Sequence, residues 1–394
     1  MNQLNLKAGT RAALLGAPVR LWLILRLGSI IVASLALTYQ VGARAINLTA
    51  LLLLKPWYSY DAEYYVRIVK EGYQHGDITS GFHPLYPWTA RVLAFLIHDP
   101  LLSLMIVSSI AGLLLTLAFY RLALLDASPD QAWIATALFL CWPATLAVFA
   151  PYTEALFLLL AVSCLLAARK ERYWIAGIFG GLAALTRQHG IFLALPLAWE
   201  LWEFSRREWR RALQYWYKWL AVGLVPCGYA LWILYRAFVI SDVKPDFSTP
   251  QRFIYSVMVS PTAYVIYKDQ QFIAPWSAVW KAATALWQGG VHLSSYGDVF
   301  LGAVFLLMFI FSWRHIRVSY RLYSLIVILA ALSLHTGSAI NPYISLPRHM
   351  LPAIPVFIGI ALGYKFQHLN FVLLMLAICQ ALFLCCFVWQ TWVL

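Results

Sequence analysis

The residues able to do chemistry are few in this chain, and each sits in a short polar stretch between long apolar runs. The carboxylates are Asp61, Glu63 and Glu154, the imidazoles His83, His189 and His349, and the guanidiniums Arg187 and Arg348. Carboxylates and imidazoles move protons and order hydroxyl groups. An arginine inside an apolar stretch, as in Thr186-Arg187-Gln188-His189-Gly190, needs a carboxylate partner or an anionic ligand. Pro347-Arg348-His349-Met350 has the same character. Asp61-Ala62-Glu63 has the form of an Asp-x-Glu pair, which hard cations favour. Each residue also has a plainer reading. Asp61 and Glu154 fit first-turn positions favoured by the helix dipole. His83 sits in an aromatic stretch that fits an interfacial anchor, and Arg348 fits a snorkelling side chain.

The elements that must hold these residues are set by composition. Of 394 residues, 62% are hydrophobic and 11% charged, against about 25% charged in an ordinary soluble domain. This excludes a disulfide-stapled secreted scaffold, a disordered tail and an ordinary cytosolic enzyme, and it predicts one all-α polytopic membrane domain over residues 1–394. Apolar runs long enough for membrane helices lie at Leu21–Tyr39, Leu101–Tyr120, Ala132–Phe149, Ala155–Ala168, Leu220–Ile240, Val299–Trp313, Leu322–Leu334, Met350–Tyr364 and Phe371–Trp392. Tyr173–Phe204 reads as two short helices with a hairpin at Arg187, which brings the expected total to about 11 spans. Leu85–Ile97 either crosses or lies in the interface. The six cysteines fall inside apolar runs without metal-ligand spacing and read as small buried hydrophobes. The first run starts too far into the chain, and lacks a small-residue cleavage site, for a removable signal peptide.

The net charge of +13 invites a nucleic-acid reading until its distribution is examined. Nearly all of the excess sits in clusters around Lys7–Arg20, Arg169–Arg172, Arg206–Lys218, Arg314–Arg321 and Lys365. The positive-inside rule makes these segments cytoplasmic, so the charge is a topology signal and nucleic acid is not an expected partner. The long segments 41–100 and 241–298 each balance acid against base, and they become the first and second outer loops. With that orientation Asp61, Glu63, His83, Tyr152, Glu154, Arg187, His189, Gln271, Arg348 and His349 all fall on the outer side, whereas scattered polar residues would divide between the faces.

The first outer loop is the most informative. In Asp61-Ala-Glu63-Tyr64-Tyr65-Val-Arg67-Ile-Val-Lys70-Glu71-Gly72, the apolar residues take one helical face and the charges another. This predicts a short amphipathic helix in the membrane interface, stopped by Gly72. Pro84 and Pro87 then fix a rigid corner beside His83.

These stretches, in this order, resemble the GPI mannosyltransferase 2 (PIG-V) family and its bacterial relatives, polytopic glycosyltransferases of the GT-C class. The likeness is carried by Tyr60-Asp61-Ala62-Glu63-Tyr64-Tyr65, Gly72-Tyr73, Phe82-His83-Pro84-Leu85-Tyr86-Pro87, Tyr152-Thr153-Glu154-Ala155-Leu156-Phe157, Thr186-Arg187-Gln188-His189-Gly190 and Arg348-His349, with Gln271 in the late loop. Here Tyr60 stands where the family has tryptophan, Tyr64 where it has histidine and His349 where it has tyrosine.

The resemblance implies transfer of a sugar, mannose by analogy, from a polyprenyl-phosphate carrier to a glycolipid or glycan acceptor on the outer face. It implies Asp61 as general base in an inverting displacement, with Arg187, Arg348, His83 and His189 at the donor phosphate. It further implies Glu63, Tyr64, Tyr152, Glu154, Gln271 and His349 as substrate contacts. No metal and no cofactor are expected, because a sugar monophosphate carries less charge to neutralise than a nucleotide diphosphate. A multi-pass protein of a bacterial plasma membrane fits better than one of the endoplasmic reticulum. The competing expectations are a lipid or sugar transporter or flippase, and a non-catalytic subunit of a transferase complex.

Overall fold

A sequence this apolar, and this poor in Gly/Pro-rich turn clusters, has helices as its main way to satisfy its backbone, and the computed structural model is almost entirely helical. The structure describes residues 2–41, 53–75, 77–241, 244–258, 271–338 and 340–391. Parts of both predicted outer loops, 42–52 and 259–270, lie outside the described residues.

The first half runs α1 (Asn2–Val41), α2 (Asp61–Glu71), α3 (Leu85–Ile97), α4 (Pro100–Ala123), α5 (Pro129–Cys141), α6 (Leu146–Phe149), α7 (Glu154–Arg169), α8 (Tyr173–Thr186) and α9 (Ala194–Phe204). The second half runs α10 (Trp209–Gln214), α11 (Trp216–Tyr235), α12 (Pro250–Met258), α13 (Pro275–Gln288), α14 (Leu293–Ser312), α15 (Val318–Ser333), α16 (Leu346–Met350), α17 (Pro355–Gly363) and α18 (Leu369–Val388). One antiparallel pair, β1 (Gln271–Phe272) with β2 (Leu334–His335), joins the late loop to the end of α15 in the register Gln271↔His335 and Phe272↔Leu334.

Local sequence explains the helix ends. Pro100, Pro129, Pro275 and Pro355 open helices at the position where a missing N–H costs nothing. Asp99 accepts the Leu102 N–H at 2.9 Å, and Ser128 with Gln131 forms a reciprocal capping box. Gly72 takes a φ of 81° after α2, where its N–H donates to the Ile68 carbonyl.

Among the described residues five helices are long and apolar enough to cross a membrane, or six if α5 and α6, bent by 72° at Pro143, form one span. The expected number of about 11 is not reached by this measure, because several apolar runs are cut short by functional-looking breaks. Leu85–Ile97, Tyr173–Thr186 and Val318–Ser333 are apolar but only half-length helices. At the Pro143 break the Gln380 amide, reaching from α18, donates to the carbonyls of Leu140 and Trp142 at 3.1 and 3.0 Å. That answers the demand that backbone groups in an apolar interior find partners.

α8 and α11 pack backbone to backbone. Gly228 lies against the Gly181 carbonyl, where a Cβ has no room, as small residues permit between membrane helices. One correction concerns the cysteines. Cys141 and Cys164 are buried as expected, but Cys227 and Cys379 are exposed, and Cys385 and Cys386 are half-buried. All four sit in α11 or α18, spans whose outer faces meet the apolar phase, so an exposed thiol there needs no polar partner.

Candidate active site

α2 forms over Asp61–Glu71 as its pattern predicts, and Ala62, Tyr65, Ile68 and Val69 are its buried face. Asp61 is its first residue, so its carboxylate meets the positive end of the helix. The preceding Tyr60 has φ 55° and ψ −123°, a region that non-glycine residues enter only when their surroundings impose it, at about 1–3 kcal/mol. The chain thus turns sharply to aim Asp61 inward.

Glu154 begins α7 and is buried, with 3% exposure. Arg187 is the break after α8, an extended residue (φ −153°, ψ 150°) followed by a 3-10 turn over Gln188–Leu193. The predicted hairpin is therefore present. Its tightness depends on Gly190, where a Cβ would run into the backbone of Ala183 and Ala184. Arg348 and His349 lie on α16, a single turn begun by Ser345 in the left-handed region (φ 58°, ψ 34°).

These pieces meet in one ionic cluster. Arg348 Nη2 donates to Asp61 Oδ2 at 2.6 Å, and Arg348 Nε donates to Glu154 Oε1. Arg187 Nη1 donates to the same Glu154 oxygen and lies 3.1 Å from Thr153 Oγ1. The Arg348 guanidinium also lies over the Tyr152 ring, 4.5 Å from its centroid. Two carboxylates and two guanidiniums cancel in charge, which is how a low-dielectric interior tolerates them. Glu154 is the deepest of the four and joins both cations. Asp61, whose side chain is 29% exposed, forms the open end.

Asp61, Arg187 and Arg348 of this cluster line a polar cavity of about 230 Å³, with His83, His189 and His349 also on its wall. The three histidines surround it as neutral bases. Burial pushes the imidazoles of His83 and His349 down to about 3 and that of His189 well below its usual value, and Arg187 lowers all three further. His189 and His349 stack, with centroids 5.8 Å apart, and among the described residues neither Nδ1 has a hydrogen-bond partner. His83 Nδ1 sits 3.0 Å from the Ala184 carbonyl, and its ring stacks on Tyr229 and meets Trp232 at a tilt, with centroids 6.0 and 5.8 Å away. A second cavity of about 410 Å³ shares Gln188, His189 and Leu334 as a wall, and is otherwise lined by Ile191, Phe192, Tyr229, Phe272, Ala330 and Ala331. Its lining is largely apolar.

Not every candidate joins this cluster. Glu63 and Tyr64 face a separate surface groove with Tyr58, Arg67, Lys70 and Glu71. The Asp61 and Glu63 carboxylates therefore point into different cavities, and they do not converge as an Asp-x-Glu cation pair. Tyr64 meets the wall of the main cavity through its stack on Phe82, at 5.1 Å. Gln271 reaches the neighbourhood through its backbone pairing with His335, next to Leu334. Thr153, Tyr65, Phe82 and Ser345 also lie on the cavity wall, beyond the residues expected from the sequence. Thr153 and Phe82 belong to motifs already singled out, whereas Ser345 carries no signal in its residue type.

Comparison with known proteins agrees with the motif resemblance. Residues 29–202 match the family model described as Mannosyltransferase (PIG-V). The rat (Rattus norvegicus) GPI alpha-1,6-mannosyltransferase 2 is 30% identical over 143 residues, a stretch covering 34% of this chain and 29% of that protein. Two solved structures of an Archaeoglobus fulgidus oligosaccharyltransferase also align. One is tethered to an acceptor peptide: 15% identity, 93% of this chain, 55% of the other, TM-score 0.46. The other is in complex with an inhibitory peptide and a dolichol-phosphate: 15% identity, 93% and 56% coverage, TM-score 0.42. The matched stretch holds Asp61, His83, Glu154, Arg187 and His189, and through it the chain is similar to the mannosyltransferase (PIG-V) family.

Proposed function

We propose that this chain is an integral membrane glycosyltransferase that moves a sugar, mannose by its resemblance, from a polyprenyl-phosphate carrier to a hydroxyl of a glycolipid or glycan acceptor. The cavity would open on the outer face of a bacterial plasma membrane. One observation carries the reading: a carboxylate and two guanidiniums share a polar cavity whose wall is also the wall of an apolar one. A lipid-linked sugar phosphate has those two halves, a polar head and an apolar tail.

In this reading the acceptor oxygen attacks the anomeric carbon as the bond from that carbon to the phosphate oxygen breaks, and the bonding pair leaves with the phosphate. The hydroxyl proton goes to Asp61, and a single displacement inverts the anomeric centre. Arg348 links the two events. While Asp61 is charged, Arg348 pairs with it. When Asp61 takes the proton, Arg348 is released to the lipid phosphate, whose negative charge has just grown. Among the described residues the polar contacts of Arg187 use Nη1, so the rest of its planar fork suits a phosphate.

Neutral His189 and His349 present both a donor and an acceptor, a match for sugar hydroxyls or for one phosphate oxygen. His83 holds the corner that closes the cavity. Tyr152 and Glu154 set the arginines, and the groove beside Glu63 and Tyr64 suits the acceptor, with Gln271 near the wall shared by the two cavities. This chemistry calls for no metal or cofactor.

The test is transfer by the purified protein from polyprenyl-phosphate-mannose to candidate acceptors, read as release of the lipid phosphate. Asp61→Asn should fold and bind sugar-free polyprenyl phosphate yet lose about 10²–10⁴-fold in rate, the range for a positioned general base. Normal transfer by Asp61→Asn would remove the base assignment. Wild-type protein that moves substrate across a bilayer without releasing lipid phosphate would favour a transporter.

A further inference from the structure

The buried carboxylate of Asp298 is not used by the proposed chemistry. It sits in α14, a helix long and apolar enough to span a membrane, and is 2% exposed. An ionisable residue at such a place is costly to keep. Its Oδ2 accepts the Ser345 backbone N–H at 3.1 Å, while Oδ1 has no partner among the described residues. Ser345 is the residue in the left-handed region from which α16 starts. Three residues later comes Arg348.

Asp298 does not act alone. Ser295, Asp298 and Gly302 fall three or four residues apart on α14, the spacing that stacks side chains on one face, and His292 is the N-cap just before it. Each touches the segment leading to Arg348. The His292 N–H donates to the Ile340 carbonyl at 3.0 Å, and the Ser295 hydroxyl lies 2.6 Å from Asn341 Oδ1. Gly302 lets Leu346 approach so closely that a Cβ there would lie 2.6 Å from Leu346 Cδ2. The segment they hold supplies Ile344, Ser345, Arg348 and His349 to the cavity wall.

We propose that Asp298 is a positioning residue: by holding the Ser345 N–H it keeps the left-handed turn that aims Arg348 at Asp61 and Glu154. The proposal rests on the glycosyltransferase reading only for its activity readout. A serine in the left-handed region resists that conformation, and glycine does not. The hydrogen bond is therefore the opposing force, and its loss should let the turn relax and Arg348 drift. A shift of about 1 Å at a reacting group costs on the order of 10²-fold in rate.

The experiment compares Asp298→Asn, Asp298→Leu and the double variant Asp298→Leu/Ser345→Gly in purified full-length protein. Asp298→Asn keeps an acceptor and should stay within about threefold of wild-type kcat/KM. Asp298→Leu should lose about 10²-fold, and Ser345→Gly in that background should recover at least about tenfold without raising Tm. Recovery at unchanged Tm separates a positioning role from a general contribution to folding. If Asp298→Leu does not fold, Asp298→Ala takes its place.

Full activity in the folded Leu or Ala variant would overturn the proposal. So would failure of Ser345→Gly to rescue, or a hundredfold loss in Asp298→Asn. Amide exchange across residues 340–349 is measured in parallel and does not depend on any reaction. Protection lost in Asp298→Leu but kept in Asp298→Asn, in a wild type that transfers no sugar, would sink the glycosyltransferase reading and leave the positioning intact. Protection unchanged in all variants would sink the positioning alone.

Discussion

At the scale of single residues, Glu154 and Asp61 share one arginine but differ in burial. Glu154 holds both Arg187 and Arg348 and is almost wholly enclosed, whereas Asp61 meets Arg348 at the cavity mouth. Removing one partner from a buried ion pair costs about 3–5 kcal/mol, because the charge left behind is uncompensated. Glu154→Gln leaves Arg187 without its carboxylate and Arg348 with Asp61 alone, so the free energy of unfolding in detergent should fall by an amount in that range. Asp61→Asn leaves Arg348 its bond to Glu154 and should move Tm much less while removing transfer. Equal loss of stability in the two variants would contradict this division of labour. The residue types of this cluster are legible in the sequence, since each charge stands out in an apolar stretch. Their pairing is not, because Asp61 and Arg348 are 287 positions apart and nothing local to either records the other. Ser345 and Asp298 are less legible still. A serine reports no positive φ, and a lone aspartate in a span reports no partner.

At the scale of elements, two local patterns carry over almost unchanged from sequence to structure. The helix after Tyr60 follows from its apolar face and its glycine stop, and the break at Arg187 follows from a stretch too long for one helix and interrupted by polar residues. Shorter apolar helices and breaks are less legible in the sequence, because the groups that satisfy them come from elsewhere. The bend at Pro143 is capped by Gln380 of α18. The buried Arg26 of α1 likewise donates to the Phe149 carbonyl and lies 5.5 Å from the Trp57 ring. It steadies the turn that leads to Tyr152 and Glu154.

The hairpin at Arg187 depends on one residue without a side chain. Gly190→Ala forces a Cβ into the Ala183–Ala184 backbone, and overpacking of this kind costs typically 1–3 kcal/mol. The displaced backbone carries Arg187 and His189, so kcat/KM should fall further than the loss of stability explains. Size-exclusion profiles and unfolding curves give the stability loss, and the transfer assay gives the excess. A variant with normal activity and normal Tm would show that the hairpin has room to open.

At the scale of the whole molecule, charge is sorted by end. The basic clusters near Arg169 and Arg317 are held by their own acids. Arg169 makes a two-pronged contact with Asp126, at 2.6 and 2.9 Å, and Arg317 bridges Glu200 and Glu203 at 3.3 and 2.9 Å. These pairs fasten helix ends at the face the positive-inside rule assigns to the cytoplasm. The Asp61–Arg348–Glu154–Arg187 cluster belongs to the opposite set of loops and is neutral as a whole. By the positive-inside rule the excess of positive charge would orient the bundle and leave the balanced set to the cavity. This arrangement makes a labelling prediction. In intact cells, with the six native cysteines replaced, a cysteine at exposed Glu63 should react with a membrane-impermeant maleimide added outside. A cysteine at exposed Arg207 should react only after the membrane is permeabilised. The reverse pattern would invert the topology and place the cavity, with its proposed lipid phosphate, on the cytoplasmic face. Labelling of both positions from outside would mean that one of the half-length helices between them crosses where the charge pattern says it turns back.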